Sequence, residues 1–170
     1  IDFLADLPLG NYKVEEVSPA TGYARNETSF DVNGTYTNQL ITINRINYAA
    51  YNDATEVEFA KVDKDTKEAL SGATLELYDS QNNLVDSWTT TRGTNKKIRK
   101  LKVGEQYTLK EVKAPTGYLL AQDKVFTVKD TNEVQYIEMS DASAKGTIKV
   151  TKRGQALTGV SKGVSVNKVG

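Results

Sequence analysis

The chain contains no cysteine and no histidine. Disulfides and thiolate metal sites are thereby excluded, and without imidazole so are most zinc centres and every triad built on a histidine base. Neither sign of charge is in excess: 22 Lys and Arg balance 22 Asp and Glu in 170 residues. Composition therefore names neither nucleic acid nor an anionic membrane as a partner. No apolar run is long enough to span a bilayer, and the opening residues, IDFLADLPLG, lack the basic start and cleavage site of a signal peptide. The chain reads as an internal slice of something longer. Proline is also scarce, at three residues. Thr, Asn, Tyr and Val are prominent, and glycine falls between short apolar runs, the composition of an all-β protein.

An internal repeat organises the chain. YKVEEVSPATGY at 12–23 aligns without a gap to YTLKEVKAPTGY at 107–118, matching Tyr12 to Tyr107, Glu16 to Glu111, Gly22 to Gly117 and Tyr23 to Tyr118. SFDV at 29–32 mirrors VFTV at 125–128. A second similarity joins VEFAKVDKDTKEALSGATLEL at 57–77 to IKVTKRGQALTGVSKGVSV at 148–166, which sets Lys61 opposite Lys152. The expected organisation is a complete unit over 56–141, preceded over 1–50 by the C-terminal half of a unit and followed over 145–170 by the start of another. Within the complete unit, strands are expected near 56–62, 73–79, 84–90, 96–103, 106–112, 124–129 and 134–141, separated by turns such as DSQNN and TTRGT. About seven short strands in about 85 residues predict an antiparallel, immunoglobulin-like or prealbumin-like β-sandwich.

Side chains alternate across a strand, so Tyr107, Leu109 and Glu111 share one face. By the same parity Val57 and Phe59 share a face with Lys61, and Ile137 and Met139 share one with Asp141. Each strand ends its apolar face on an ionisable group, which is costly to bury unless neutralised, paired or used. A sandwich can bring Lys61, Glu111 and Asp141 together in its core. Burial lowers the pKa of a lysine and raises that of a carboxyl, favouring an amine nucleophile and a protonated acid. The chemistry open to them is an amide between Lys61 and Asp141, with Glu111 moving the proton. The partial repeats carry the same pattern, since Glu16 follows Tyr12 and Val14, and Lys152 follows Ile148 and Val150.

The pattern Y-x-[LV]-x-E-x-x-[AP]-x-x-G-Y, the opening strand ending in lysine ahead of EALSGATLELYD, and the closing strand ending in Asp together resemble the B-type repeat of collagen adhesins (Cna B-type) and the SpaA-like pilin domains of Gram-positive bacteria. The resemblance implies a wall-attached, extracellular surface protein whose sandwich domains form a stalk, locked by self-generated Lys–Asn or Lys–Asp isopeptide bonds. By position, Lys61 matches the amine donor, Glu111 the catalytic acid and Asp141 the acceptor, with Glu16 the equivalent of Glu111. Lys152 and Asn47 are the candidates for crosslinks in the partial repeats. Aligning FDV with FTV puts Arg45 opposite Asp141, a departure from the pattern, whereas Asn47 keeps the inward parity of Ile41 and Ile43 and is preferred to Asn44.

The expected role is therefore a structural spacer of an adhesin or pilus, carrying out one single-turnover crosslinking reaction rather than enzymatic turnover. It needs no cofactor or metal. Its partners are neighbouring repeats of the same protein, with host matrix protein or glycan engaged through other domains, and with no membrane contact in this segment. One alternative is a ligand-binding module using Tyr23, Tyr48, Tyr51 and Trp88 to grip collagen or a glycan; another is a pilin shaft subunit joined by sortase. LPLG at 7–10 lacks the threonine of a sorting signal, and DKDTKE at 63–68 lacks the glycine and ligand spacing of a calcium loop. The basic run NKKIRKLK at 95–102 reads as a solvated strand.

Overall fold

The computed structural model describes residues 10–33, 50–146 and 148–149. Asn44, Arg45, Asn47, Tyr48 and Lys152 lie outside the described residues. Two short strands form a hairpin near the start, β1 (Asn11–Val14) and β2 (Phe30–Asn33). Seven more follow: β3 (Glu56–Asp63), β4 (Thr74–Tyr78), β5 (Leu84–Thr89), β6 (Lys96–Arg99), β7 (Gln106–Lys113), β8 (Lys124–Thr127) and β9 (Gln135–Asp141). They make a three-stranded sheet in the order β6-β3-β9 and a four-stranded sheet in the order β5-β4-β7-β8.

The inward faces follow the expected parity. Val57 and Phe59 of β3 and Met139 of β9 meet Leu75 and Leu77 of β4 and Tyr107 and Leu109 of β7 in one buried core. Burying such side chains stabilises by roughly 1.5–3 kcal/mol each, which is what holds two twisted sheets face to face. Phe59 anchors an aromatic group, with ring centroids 5.5 Å from Trp88 and 5.6 Å from Phe126, while Phe126 stacks on Tyr107. Trp88 is thus spent on packing, and Lys96 lies over its ring.

Among the described residues all strand pairs are antiparallel except one: β3 and β9 run parallel, with Lys61 opposite Met139 and Asp63 opposite Asp141. The first and last strands of the unit therefore finish at the same end of the sandwich, which is where their ionisable side chains lie. Strand β6 stops at Arg99, short of the expected 103, because Lys100 adopts a left-handed conformation (φ 65°). That turn drops Leu101 into the core, where its carbonyl accepts a 2.6 Å hydrogen bond from the Thr55 hydroxyl.

The first hairpin is fastened to the seven-stranded unit. Thr55 donates its amide to the Gly22 carbonyl at 3.1 Å, Arg25 donates its amide to Asp130 Oδ1 at 2.8 Å, and Lys100 lies over the Tyr23 ring. Gly22 is required at this junction: its φ is +82°, and a Cβ there would lie 2.6 Å from the Lys100 carbonyl oxygen.

A buried lysine between two carboxyls

Three strands deliver one side chain each to the end of the core. On β3 the inward series Val57, Phe59 continues to Lys61; on β7 Tyr107, Leu109 continues to Glu111; on β9 Met139 continues to Asp141. The Lys61 and Glu111 side chains are 1% and 0% exposed, so water screens neither charge. Lys61 Nζ lies 3.0 Å from Glu111 Oε1 and donates a hydrogen bond to Asp141 Oδ1. The three candidates named from the sequence are thus in mutual contact.

The amine faces two carboxyls, and three ionised groups in this space would bury a net negative charge. Burial pushes the Asp141 carboxyl above its usual range. The Lys61 hydrogen bond and charge pull it down, and Glu111 pushes it up again. The upward direction follows from geometry, since one ammonium cannot compensate two buried carboxylates. Asp141 Oδ2 and Glu111 Oε1, the latter facing the ammonium, are the buried side-chain oxygens left without a hydrogen-bond partner among the described residues.

Glu111 is oriented from its other side. Its Oε2 accepts a 2.6 Å hydrogen bond from the backbone amide of Ala121, beyond the PTGY turn. That turn is closed by the Tyr118 amide donating to the Pro115 carbonyl, and Gly117 takes the positive φ it needs. Tyr118 then pairs with Ser143, just past Asp141, and its hydroxyl donates to Asp63 Oδ2 at 2.8 Å. Asp63 also accepts the amides of Asp65 and Thr66 on Oδ1, fixing the turn after β3. The YTLKEVKAPTGY segment, which with its copy YKVEEVSPATGY is termed the E-box after its glutamate, therefore ends strand β7 and also supplies the lid that holds β3, β7 and β9 in register around the amine. The sequence assigned no role at the site to Asp63, Tyr118 or the Ala121 amide. The adjacency of Asp63 to the strand-ending lysine and the recurrence of the final tyrosine were the available signals.

In the first repeat, β1 ends at Val14, so Glu16 lies beyond the strand rather than within it. Strand β7 is flanked on both sides, by β4 and β8, and pairs Leu75 with Glu111. Among the described residues β1 pairs with β2, and Val14 is 51% exposed. Glu16 nevertheless accepts the Asn26 amide at 2.6 Å on Oε2, and the Asn52 side-chain amide on both oxygens at 2.9 and 2.7 Å. Among the described residues, no group of three or more acidic side chains is arranged to hold a metal ion.

A family model for the SpaA prealbumin-like fold domain matches residues 55–143, the stretch that carries all seven strands and the lysine–carboxyl cluster. The chain belongs to this family. The chain is 38% identical over 65 residues to the trypsin-resistant surface T6 protein of Streptococcus pyogenes serotype M6, a match covering 38% of this chain and 12% of that protein. Among solved structures, the Bacillus anthracis TIE protein superposes with a TM-score of 0.55 at 26% identity, over 81% of this chain and 26% of that one. The T6 backbone pilin of S. pyogenes serotype M6 is 34% identical, with a TM-score of 0.40, over 44% of this chain and 16% of that one. The chain thus spans about an eighth of the T6 protein and about a quarter of the TIE protein.

Proposed function

We propose that the 56–141 unit is a spacer in the stalk of a Gram-positive surface adhesin or pilus, locked by an amide that Lys61 and Asp141 form without outside help. The flanking segments, 1–50 and 145–170, are parts of neighbouring repeats in the same array, and the protein is displayed outside the cell, attached to the wall. The observation that carries this reading is the buried contact of one amine with two carboxyls at the junction of the first and last strands. Support for the setting comes from the T6 relative, which is itself a surface protein and backbone pilin.

The reaction balances within the three side chains. Asp141, its pKa raised by burial, takes the proton of Lys61, which leaves a neutral amine beside a neutral acid. The amine attacks Asp141 Cγ. Glu111, held by the Ala121 amide, accepts a proton from the nitrogen and returns it to the departing hydroxyl. One C–N bond forms, one C–O bond breaks and one water leaves. The product is a neutral amide, which removes the cost of burying the charges and gives an energetic reason for the site to react once and stop. The unit is accordingly a structural protein with a single-turnover self-modification.

The intact mass of the denatured chain tests this directly. A folded preparation should weigh one water less than its sequence, with a branched peptide joining Lys61 to Asp141; the full unreacted mass in a folded sample would sink the mechanism.

A further inference from the structure

The two E-box glutamates are held alike. Glu111 Oε2 accepts the amide of Ala121, and Glu16 Oε2 accepts that of Asn26, both at 2.6 Å and both from ten residues further on. The backbone that follows corresponds bond for bond. Tyr118 bridges Ser143 as Tyr23 bridges Ala54. Leu119 donates to the Ala142 carbonyl at 3.0 Å as Ala24 donates to that of Asp53 at 2.8 Å. Ala144 donates to Gly117 at 2.8 Å as Thr55 donates to Gly22 at 3.1 Å. One residue back along each closing segment, Asn52 stands where Asp141 stands.

The side chains complete the correspondence. Asn52 Nδ2 donates to both oxygens of Glu16 and, at 2.9 Å, to the Ala24 carbonyl, so an acid/base lies against a carboxamide as Glu111 lies near the Asp141 carboxyl. Resting on the reading of the middle unit as self-crosslinking, we propose that Asn52 is the acceptor of a second isopeptide centre, in which Glu16 directs a lysine amine carried on an incoming β-strand. The N–C bond forms at Asn52 Cγ and the bond to Nδ2 breaks. Glu16 takes a proton from the attacking amine and passes it to the departing nitrogen, which leaves as ammonia.

The donor must come from outside this half-unit. Lys13 is the one lysine ahead of Lys61, and it is spent on an exposed ion pair with Glu15. In the middle unit the donor rides on the opening strand, parallel to the strand that ends in Asp141. The matching occupant is therefore an opening strand of alternating apolar residues ending in lysine. The half-exposed Val14 marks the apolar face that it would cover. The chain itself carries one such sequence, IKVTK at 148–152, so a second copy offers a donor in Lys152. Asn47, the sequence preference for this role, lies outside the described residues.

The test incubates the full chain with an excess of synthetic peptide spanning residues 145–170, followed by intact-mass and fragment analysis under denaturing conditions. The expected product is chain plus peptide minus one ammonia, with Asn52 joined to Lys152. It should be lost with Glu16→Gln, with Asn52→Ala or with Lys152→Arg in the peptide. Covalent chain-to-chain species joined at the same pair support the proposal equally. Asn52→Asp gives a second signature, because its adduct must lose water instead of ammonia. No adduct to a folded chain, or an adduct that survives Asn52→Ala or maps to Asn47, overturns the assignment. The water lost by the middle unit is read in the same spectrum, so failure at Asn52 and failure at Asp141 are seen separately.

Discussion

Lys61 and Asp141 lie on neighbouring parallel strands, 80 residues apart in sequence, and meet at the end of the sandwich from which β9 leaves the unit. The placement determines what a bond between them would do. Tension applied along the chain would pass from the start of β3 through Lys61 directly to Asp141. Everything between them would stay out of the load path.

Glu111→Gln keeps the shape of the side chain and its bond from Ala121 but removes the proton carrier. The variant chain should weigh the full mass of its own sequence, with no water lost. Losing a crosslink that closes a loop of about 80 residues should lower stability by about 4–5 kcal/mol, by analogy with the chain-entropy account of disulfides. Mass spectrometry and denaturant unfolding check the two parts independently. Continued condensation in this variant would remove Glu111 from its role.

Pulling single molecules tests the load path. Residues 62–140 should not extend in the wild-type chain. In Glu111→Gln the same unit should release roughly 260–280 Å of extra contour length on unfolding, the span of that many residues.

Lys61→Met leaves two buried carboxyls without their cation. The causes that raise the Asp141 pKa, burial first and then Glu111, remain, while both influences of Lys61 that lower it are gone. The folded state then binds a proton more tightly than the unfolded state. This contribution is complete below the unfolded value near about 4 and is lost as pH rises through the folded pKa. The Tm of Lys61→Met should therefore fall as pH is raised above about 4, whereas the crosslinked wild type, with an amide in place of both groups, should not show that decline.

Asp63 carries the opposite sign. The Thr66 amide, then the Tyr118 hydroxyl, then the Asp65 amide hold its carboxyl below the usual range. Its contribution is present above the unfolded pKa and lost as pH falls through the lowered folded value. Asp63→Asn should lower Tm at neutral pH and flatten its decline as pH falls below about 4. A parallel acid limb in wild type and variant would contradict the assignment.

Gly22 and Gly117 are equivalent in sequence but not in surroundings. Both have positive φ, yet an added Cβ meets the Lys100 carbonyl at Gly22 and nothing within 4 Å at Gly117. Gly117→Ala should cost only the backbone strain, about 1–2 kcal/mol. Gly22→Ala must also displace the junction. Amide exchange should rise at Thr55 and Ala24, which are tied across that turn, in Gly22→Ala alone.

The sequence by itself determined the two-residue alternation that puts Val57, Phe59 and Lys61 on one face, and likewise Tyr107, Leu109 and Glu111. That periodicity is a local property of extended backbone and needs no knowledge of the partner strand. It also showed the repeated motif, since YKVEEVSPATGY and YTLKEVKAPTGY keep their turn residues in the same order. The extent of β6 was not legible, since nothing local in RKLK shows that Lys100 turns left-handed to seat Leu101. The partner of Glu16 was decided only by tertiary structure. Aligning the FDV and FTV strands carries the comparison onto Arg45, because the register between repeats is lost in the connection that follows. The backbone bonds around Tyr23 and Ala54 restore it and place Asn52 against the glutamate. Contacts between segments distant in the chain depend on how those segments pair, and pairing is set by the sheet as a whole.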